Sequence, residues 1–170
     1  MPHTLKLYDA ATLNDLSAEA TRSPRRRKNL NVHPALEDPV QRLFNAMEPG
    51  TYFRPHRHAR DHGWELMIAV RGAFAVLCFD DNGNVLARAD LRAGDGDCAV
   101  ETPAHAWHSV VSLAPGAIMF EIKPGPYSPI EDKDFAAWAP PEGDSRAPDW
   151  VHWFETAKPG DRAPGSSDLP

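Results

Sequence analysis

Cysteine is scarce in this chain: Cys78 and Cys98 are the only two among 170 residues. Two thiols exclude a disulfide framework and a multi-cysteine zinc ribbon. There is no basic excess either. Lys and Arg total 18 against 24 Asp and Glu, for a net charge of -6 and a pI near 5.7. A nucleic-acid partner would require a basic face, so none is expected. No apolar run approaches the roughly 18–20 residues needed to cross a bilayer. The first twenty residues, MPHTLKLYDAATLNDLSAEA, contain no apolar signal core. Internal repeats and low-complexity tracts are lacking too. These absences lead to the expectation of a soluble, cytoplasmic, single-domain protein without membrane or nucleic-acid partners.

Proline and histidine are what the chain has in quantity. Proline takes 17 of 170 positions, about twice its average share of roughly 5%. Of the 8 histidines, His56, His58, His62, His105 and His108 fall close together in the middle of the chain.

One helix is predicted ahead of the core, from Ala10 to Thr21. Leu13, Leu16 and Ala20 would share a face, with Thr12 as its cap and Pro24 as its end. Arg25-Arg26-Arg27-Lys28 is the one dense basic run and reads as a solvated or phosphate-contacting arm. From residue 40 onward the pattern becomes short and strand-like. The candidates are Val40 to Glu48, Tyr52 to His58, Trp64 to Arg71, Ala73 to Asp80, Val85 to Leu91, Cys98 to Glu101, Trp107 to Leu113 and Ala117 to Lys123. Gly, Pro and Asn clusters separate them, and Asp81-Asn82-Gly83-Asn84 is the clearest hairpin. The predicted class is therefore all-β, a double-sheet jelly-roll barrel. Residues 1–39 would form the helix and basic arm, 40–127 the barrel, and 128–170 a proline-rich extension. Phe135, Trp138, Trp150, Trp153 and Phe154 argue that this extension lies on the barrel, without much regular structure, and that it is mobile from Gly160.

In an extended strand, residues two apart share a face, so His56 and His58 project together with Arg54. Glu65 opens the next strand, and His108 follows a Pro-containing turn. Three imidazoles and a carboxylate suit one divalent transition metal such as Zn, Fe, Mn or Ni. His62 is an alternative to Glu65. The run His56-Arg-His58-Ala-Arg-Asp61-His62 approaches the metallo-β-lactamase pattern, but with one residue too many and no flanking helices. Arg54, at the same centre, would meet either a substrate anion or a structural carboxylate such as Glu121. Asn31 and His33 share one side of an extended segment and are candidates to close over the barrel mouth. Lys123 lies on a polar strand face, and His105, Lys123 and Tyr127 are candidate bases. Cys78 reads as a core residue, and no chemistry is assigned to Cys98.

Gly50-x5-His56-x-His58-x6-Glu65-x6-Gly72 resembles the first cupin motif, with a longer gap before the carboxylate. Pro103-Ala-His105-Ala-Trp-His108 is similar to the second, with His105 where glycine is usual and Ser112 where asparagine is usual. Further blocks resemble the WbuC-type cupin-fold metalloproteins: Arg25 to His33, Gln41 to Asn45, Pro49 to His58, Phe120 to Tyr127 and Asp132 to Pro140. That resemblance implies a cupin barrel, a metal at His56, His58, Glu65 and His108, a homodimer, and a link to O-antigen and related surface-polysaccharide biosynthesis. It names no substrate. Two function classes follow as expectations. One is an enzyme acting on a small oxygenated or acidic molecule such as a sugar or sugar nucleotide, by metal-assisted isomerisation or epimerisation, or by Fe(II)-dependent dioxygenation. The other is a non-catalytic module that binds or senses a small ligand.

Overall fold

The structure is a computed structural model that describes residues 4–58, 62–126 and 134–165. Among these residues, ten strands form two antiparallel sheets of five. They are β1 (Arg27–Asn31), β2 (Val40–Met47), β3 (His56–Arg57), β4 (Glu65–Arg71), β5 (Ala73–Phe79), β6 (Val85–Arg92), β7 (Ala99–Thr102), β8 (Trp107–Ser112), β9 (Ala117–Pro124) and β10 (Asp134–Phe135). The first sheet runs β1-β2-β9-β4-β7 and the second β10-β3-β8-β5-β6. The all-β double-sheet expectation holds.

Alternation along each strand sends one set of side chains between the sheets and the other set outward. Met47, Met67, Ala69, Ala117 and Met119 from the first sheet meet Phe74, Val76, Leu91 and Val110 from the second in a buried core. Each outer face is also covered. On the first sheet the cover is α1 (Ala10–Arg22), whose Leu16 and Ala20 pack on Ala46 and Ile118. Its cap is Asp9 rather than Thr12, because the Asp9 carboxylate accepts the Thr12 backbone N–H at 2.9 Å.

On the second sheet the cover comes from the C-terminal segment, and here the structure departs from expectation. Ala147–Thr156 is a helix, α2, with a proline in its first turn. The extension is expected to have little regular structure, yet proline is favoured at the start of a helix, where its missing N–H costs nothing, and Pro148 takes that place. Trp150, Val151 and Phe154 then form the buried stripe, packed with Leu77, Phe79 and Val111. Arg88 on β6 fastens the end of α2, donating to the carbonyls of Phe154 at 2.7 Å and Glu155 at 3.0 Å. Beyond it residues 157–163 are tied down. Gly160 donates to the Val85 carbonyl and Val85 to that of Asp161, and Ala163 is buried.

Two further differences concern the first sheet and β3. Arg27 and Lys28 of the basic run belong to edge strand β1, with Arg27 opposite Met47. The expected strand Tyr52 to His58 shrinks to His56–Arg57, because side chains occupy the carbonyls ahead of it. Arg27 donates to Tyr52 O at 2.7 Å and Ser109 to Phe53 O at 2.8 Å, while Pro55 has no N–H to offer. Between β4 and β5, Gly72 turns at φ +73°, and a Cβ there would come within 2.9 Å of Ala117 Cβ. No helix among the described residues is long and apolar enough to cross a membrane.

Candidate metal centre and adjoining cavity

At one end of the interior the apolar packing gives way to ionisable groups. His56 and His108 lie directly opposite each other across β3 and β8, which sets their rings on one face with centroids 4.5 Å apart. His58 follows β3, and Glu65 opens β4 on the facing sheet. All four side chains are buried, and one ligand atom from each lies within 4.8 Å of the others. Ligands bound at 2.0–2.2 Å to one ion stand no more than about 4.4 Å apart, so only a small contraction separates this set from a coordination shell. Its His3–carboxylate composition suits a borderline divalent ion. His62 is exposed and stands outside the group; Glu65 supplies the carboxylate.

Neighbouring carbonyls orient the rings. His56 Nδ1 is 3.0 Å from Arg54 O and His108 Nδ1 is 2.9 Å from Ala106 O. Each Nδ1 therefore meets a backbone carbonyl and each Nε2 faces inward, the orientation of imidazoles that serve as metal ligands. Glu65 Oε2 lies 2.9 Å from His108 Nε2 and 3.4 Å from His58 Nε2. Burial opposes the charge on Glu65. The Lys123 ammonium and the hydrogen bonds from His108 and His58 overcome it and hold the carboxyl well below the usual carboxylate range.

His105 occupies the second motif's usual glycine position and adopts the conformation glycine would, at φ +65°. Its backbone N–H donates to His58 O at 3.1 Å, so the turn positions a ligand while the His105 side chain is exposed. Arg54 goes elsewhere than parity predicted. Residues 52–55 are not a regular strand, and the guanidinium donates to Ala136 O at 2.8 Å and stacks 5.5 Å from the Phe135 ring centroid. Glu121, considered as its partner, instead pairs with Lys123 Nζ at 2.8 Å and accepts from Asn45 at 2.7 Å. Tyr127 lies outside the described residues. Cys78 sits opposite His108 on β5, and burial pushes its thiol pKa up, which leaves it a poor nucleophile.

A cavity of about 550 Å³ adjoins the cluster, over the inner faces of β1, β2 and β9. Lys123 joins the two: it lines the cavity, and its Nζ stands 3.5 Å from Glu65 Oε1. Asn31 and His33 line it too, at the exposed rim and the buried floor respectively. Sequence reasoning missed Gln41, Asn45 and Asn29. The alternation Gln41-x-Leu43-x-Asn45 was a usable signal, since β2 pairs Gln41 with Lys123 and Leu43 with Glu121. The basic run is bound into the protein. Arg25 and Arg27 both pair with Glu142, Arg26 donates to Pro49 O, and Lys28 meets Glu19 at 3.1 Å.

Comparison with solved structures identifies the fold. A solved structure of recombinant oxalate oxidase in complex with glycolate superimposes with a TM-score of 0.52 at 19% identity, over 68% of this chain and 57% of that one. The fold is that of a cupin. KdgF from Halomonas sp. is 22% identical, over 61% of this chain and 83% of its own, with a TM-score of 0.47. Oxalate decarboxylase from Bacillus subtilis is 20% identical, over 64% and 27%, with a TM-score of 0.48. Residues 8–91 match a family described as a domain of unknown function, DUF6016. No curated protein matches the sequence. The chain thus combines a cupin fold with a buried His3–carboxylate cluster whose composition could hold a divalent metal ion.

Proposed function

We propose that the chain is a metal-dependent enzyme that isomerises or epimerises a small oxygenated substrate, such as a sugar or sugar derivative. The observation that carries this reading is the buried Lys123–Glu121 pair, which stands against the ligand Glu65. A divalent ion held by His56, His58, Glu65 and His108 would polarise a carbonyl oxygen and acidify the neighbouring C–H. Moving that proton between two carbons needs an acid–base group within reach of the same point. Lys123 and Glu121 are the buried groups available for it, sharing a proton-bearing contact beside the cluster and screened from bulk water. Asn45, bonded to Glu121, fixes the orientation of that carboxylate. Glycolate in the related oxalate oxidase barrel lends support to a small hydroxylated or acidic substrate. The likeness to WbuC-type sequences supports a place in surface-polysaccharide synthesis, in the cytoplasm, as a homodimer.

The test is deuterium wash-in. Metal-loaded protein is incubated in heavy water with a panel of aldoses, ketoses and uronates, and exchange next to the carbonyl is read by NMR. The expected result is exchange that disappears on chelation and in Lys123→Met, with the metal still bound in that variant. Oxygen-dependent turnover with iron would replace this reading with dioxygenation. Ligand binding without exchange or turnover would replace it with a sensing module.

A further inference from the structure

The cavity beside the cluster has a chemistry of its own. Its volume of about 550 Å³ falls within the roughly 300–1,000 Å³ of small-molecule sites. Its cations are mostly matched: Lys123 pairs with Glu121 and Lys28 with Glu19, while Arg25 and Arg27 share the one carboxylate of Glu142, which leaves a single positive charge over. A polyanion such as a nucleoside diphosphate would need several unmatched cations, and this arrangement leaves only one. What the walls offer instead is amides. Asn29 donates to Asn31 at 2.9 Å, which leaves the Asn31 amide protons and the Asn45 carbonyl available to a ligand. Phe53 and Leu43 add apolar surface between them. Mixed donors and acceptors beside apolar patches suit a carbon chain that bears a hydroxyl at most positions.

His33 sharpens the assignment. It is 6% exposed, and its Nδ1 is 3.0 Å from the Arg42 backbone nitrogen and 2.9 Å from the Arg42 carbonyl. That carbonyl already accepts the Val32 N–H at 2.8 Å. The Arg42 N–H points the same way, past the end of β1, and Nδ1 is its acceptor. A neutral imidazole that accepts at Nδ1 carries its proton at Nε2. That buried Nε2 has no hydrogen-bond partner among the described residues, and His33 lines the cavity. An unmatched buried donor is costly unless a ligand oxygen meets it.

We propose that this cavity binds a polyhydroxylated carbon chain of monosaccharide size, with His33 Nε2–H donating to one of its oxygens. Such a chain would be the substrate of the reaction proposed above and rests on that reading for its chemistry, whereas its binding does not require the metal.

The experiment is ligand-observed saturation-transfer NMR with D-sorbitol and D-gluconate, and hexanol as a probe of the same carbon count with a single hydroxyl. Wild type, His33→Asn and chelator-dialysed wild type are compared. Asparagine retains an acceptor for the Arg42 N–H but withdraws the donor from the cavity, so the variant is expected to fold. The polyols should bind saturably and hexanol should not. His33→Asn should weaken binding about tenfold, and the dialysed protein should bind as before. Equal binding of hexanol, no binding of either polyol, or wild-type affinity in His33→Asn would overturn the proposal. Polyol binding that vanished with the metal would overturn the cavity as a site of its own. Polyol binding without deuterium exchange would instead sink the isomerase reading and leave the cavity standing.

Discussion

The two ends of the barrel interior are built by the same strands and differ completely in character. Along β9 the inward face reads Ala117 and Met119 and then Glu121 and Lys123; along β4 it reads Ala69 and Met67 and then Glu65. On β8 Val110 gives way to His108. One end therefore holds the sheets together by burying apolar surface, at about 25 cal/mol per Å². The other buries charged and ring-nitrogen groups that a well-packed apolar core would not need, since replacing buried ion pairs by apolar residues is often neutral or stabilising. On the proposed function, the polar end is kept for chemistry and the apolar end for stability. Each should then fail in its own way.

Phe74→Ala should show the largest loss of stability, about 3–5 kcal/mol, because Phe74 is fully buried at the apolar end. Urea unfolding reads the loss, and metal content per folded molecule should not change. Lys123→Met should come next, near 3 kcal/mol in metal-free protein, since Glu65 and Glu121 then lose a buried cation. Changing Glu121 to Gln in that background should return part of the loss. A single variant that cost nothing would break the view that the charges there are interdependent. His56→Ala should shift metal-free unfolding by no more than about 1 kcal/mol, yet weaken metal binding by more than about 100-fold. Equal losses of stability and metal would erase the distinction between the ends.

The smallest effect belongs to the outer cover. Hydrogen bonds from Arg146 hold the Asp144 carboxyl down at about 2. Its folded value lies below the ordinary one, so its contribution is complete above the usual carboxylate range and disappears as pH falls through about 2. Asp144→Asn should thus lower the melting temperature slightly at neutral pH, by less as pH falls towards about 2 and not at all well below it, without touching the interior.

Much of this was legible in the residues. Period-two alternation and turn clusters mark the strands that make both sheets, and His56-x-His58 with Glu65 and His108 brings the four donors into view. What stayed hidden was decided by contacts the sequence does not display. Arg54 follows parity only if residues 52–55 run as a strand, and the Arg27 and Ser109 side chains prevent that. Pro148 could equally have ended a helix or begun one; the aromatic spacing Trp150 to Phe154 was the cue for beginning. The basic run looked like an arm because Glu142, which Arg25 and Arg27 share, lies far away in sequence. The cavity lining was divided among three strands, so its amides became a group only once β1, β2 and β9 were in register.

Elemental analysis of untagged protein, beside a His56→Ala/His108→Ala double variant, tests the central claim most directly. Close to one equivalent of a single divalent transition metal in the wild type, and none in the variant, is the predicted result. A wild type that holds no metal even after anaerobic reconstitution with zinc, iron, manganese and nickel would contradict it.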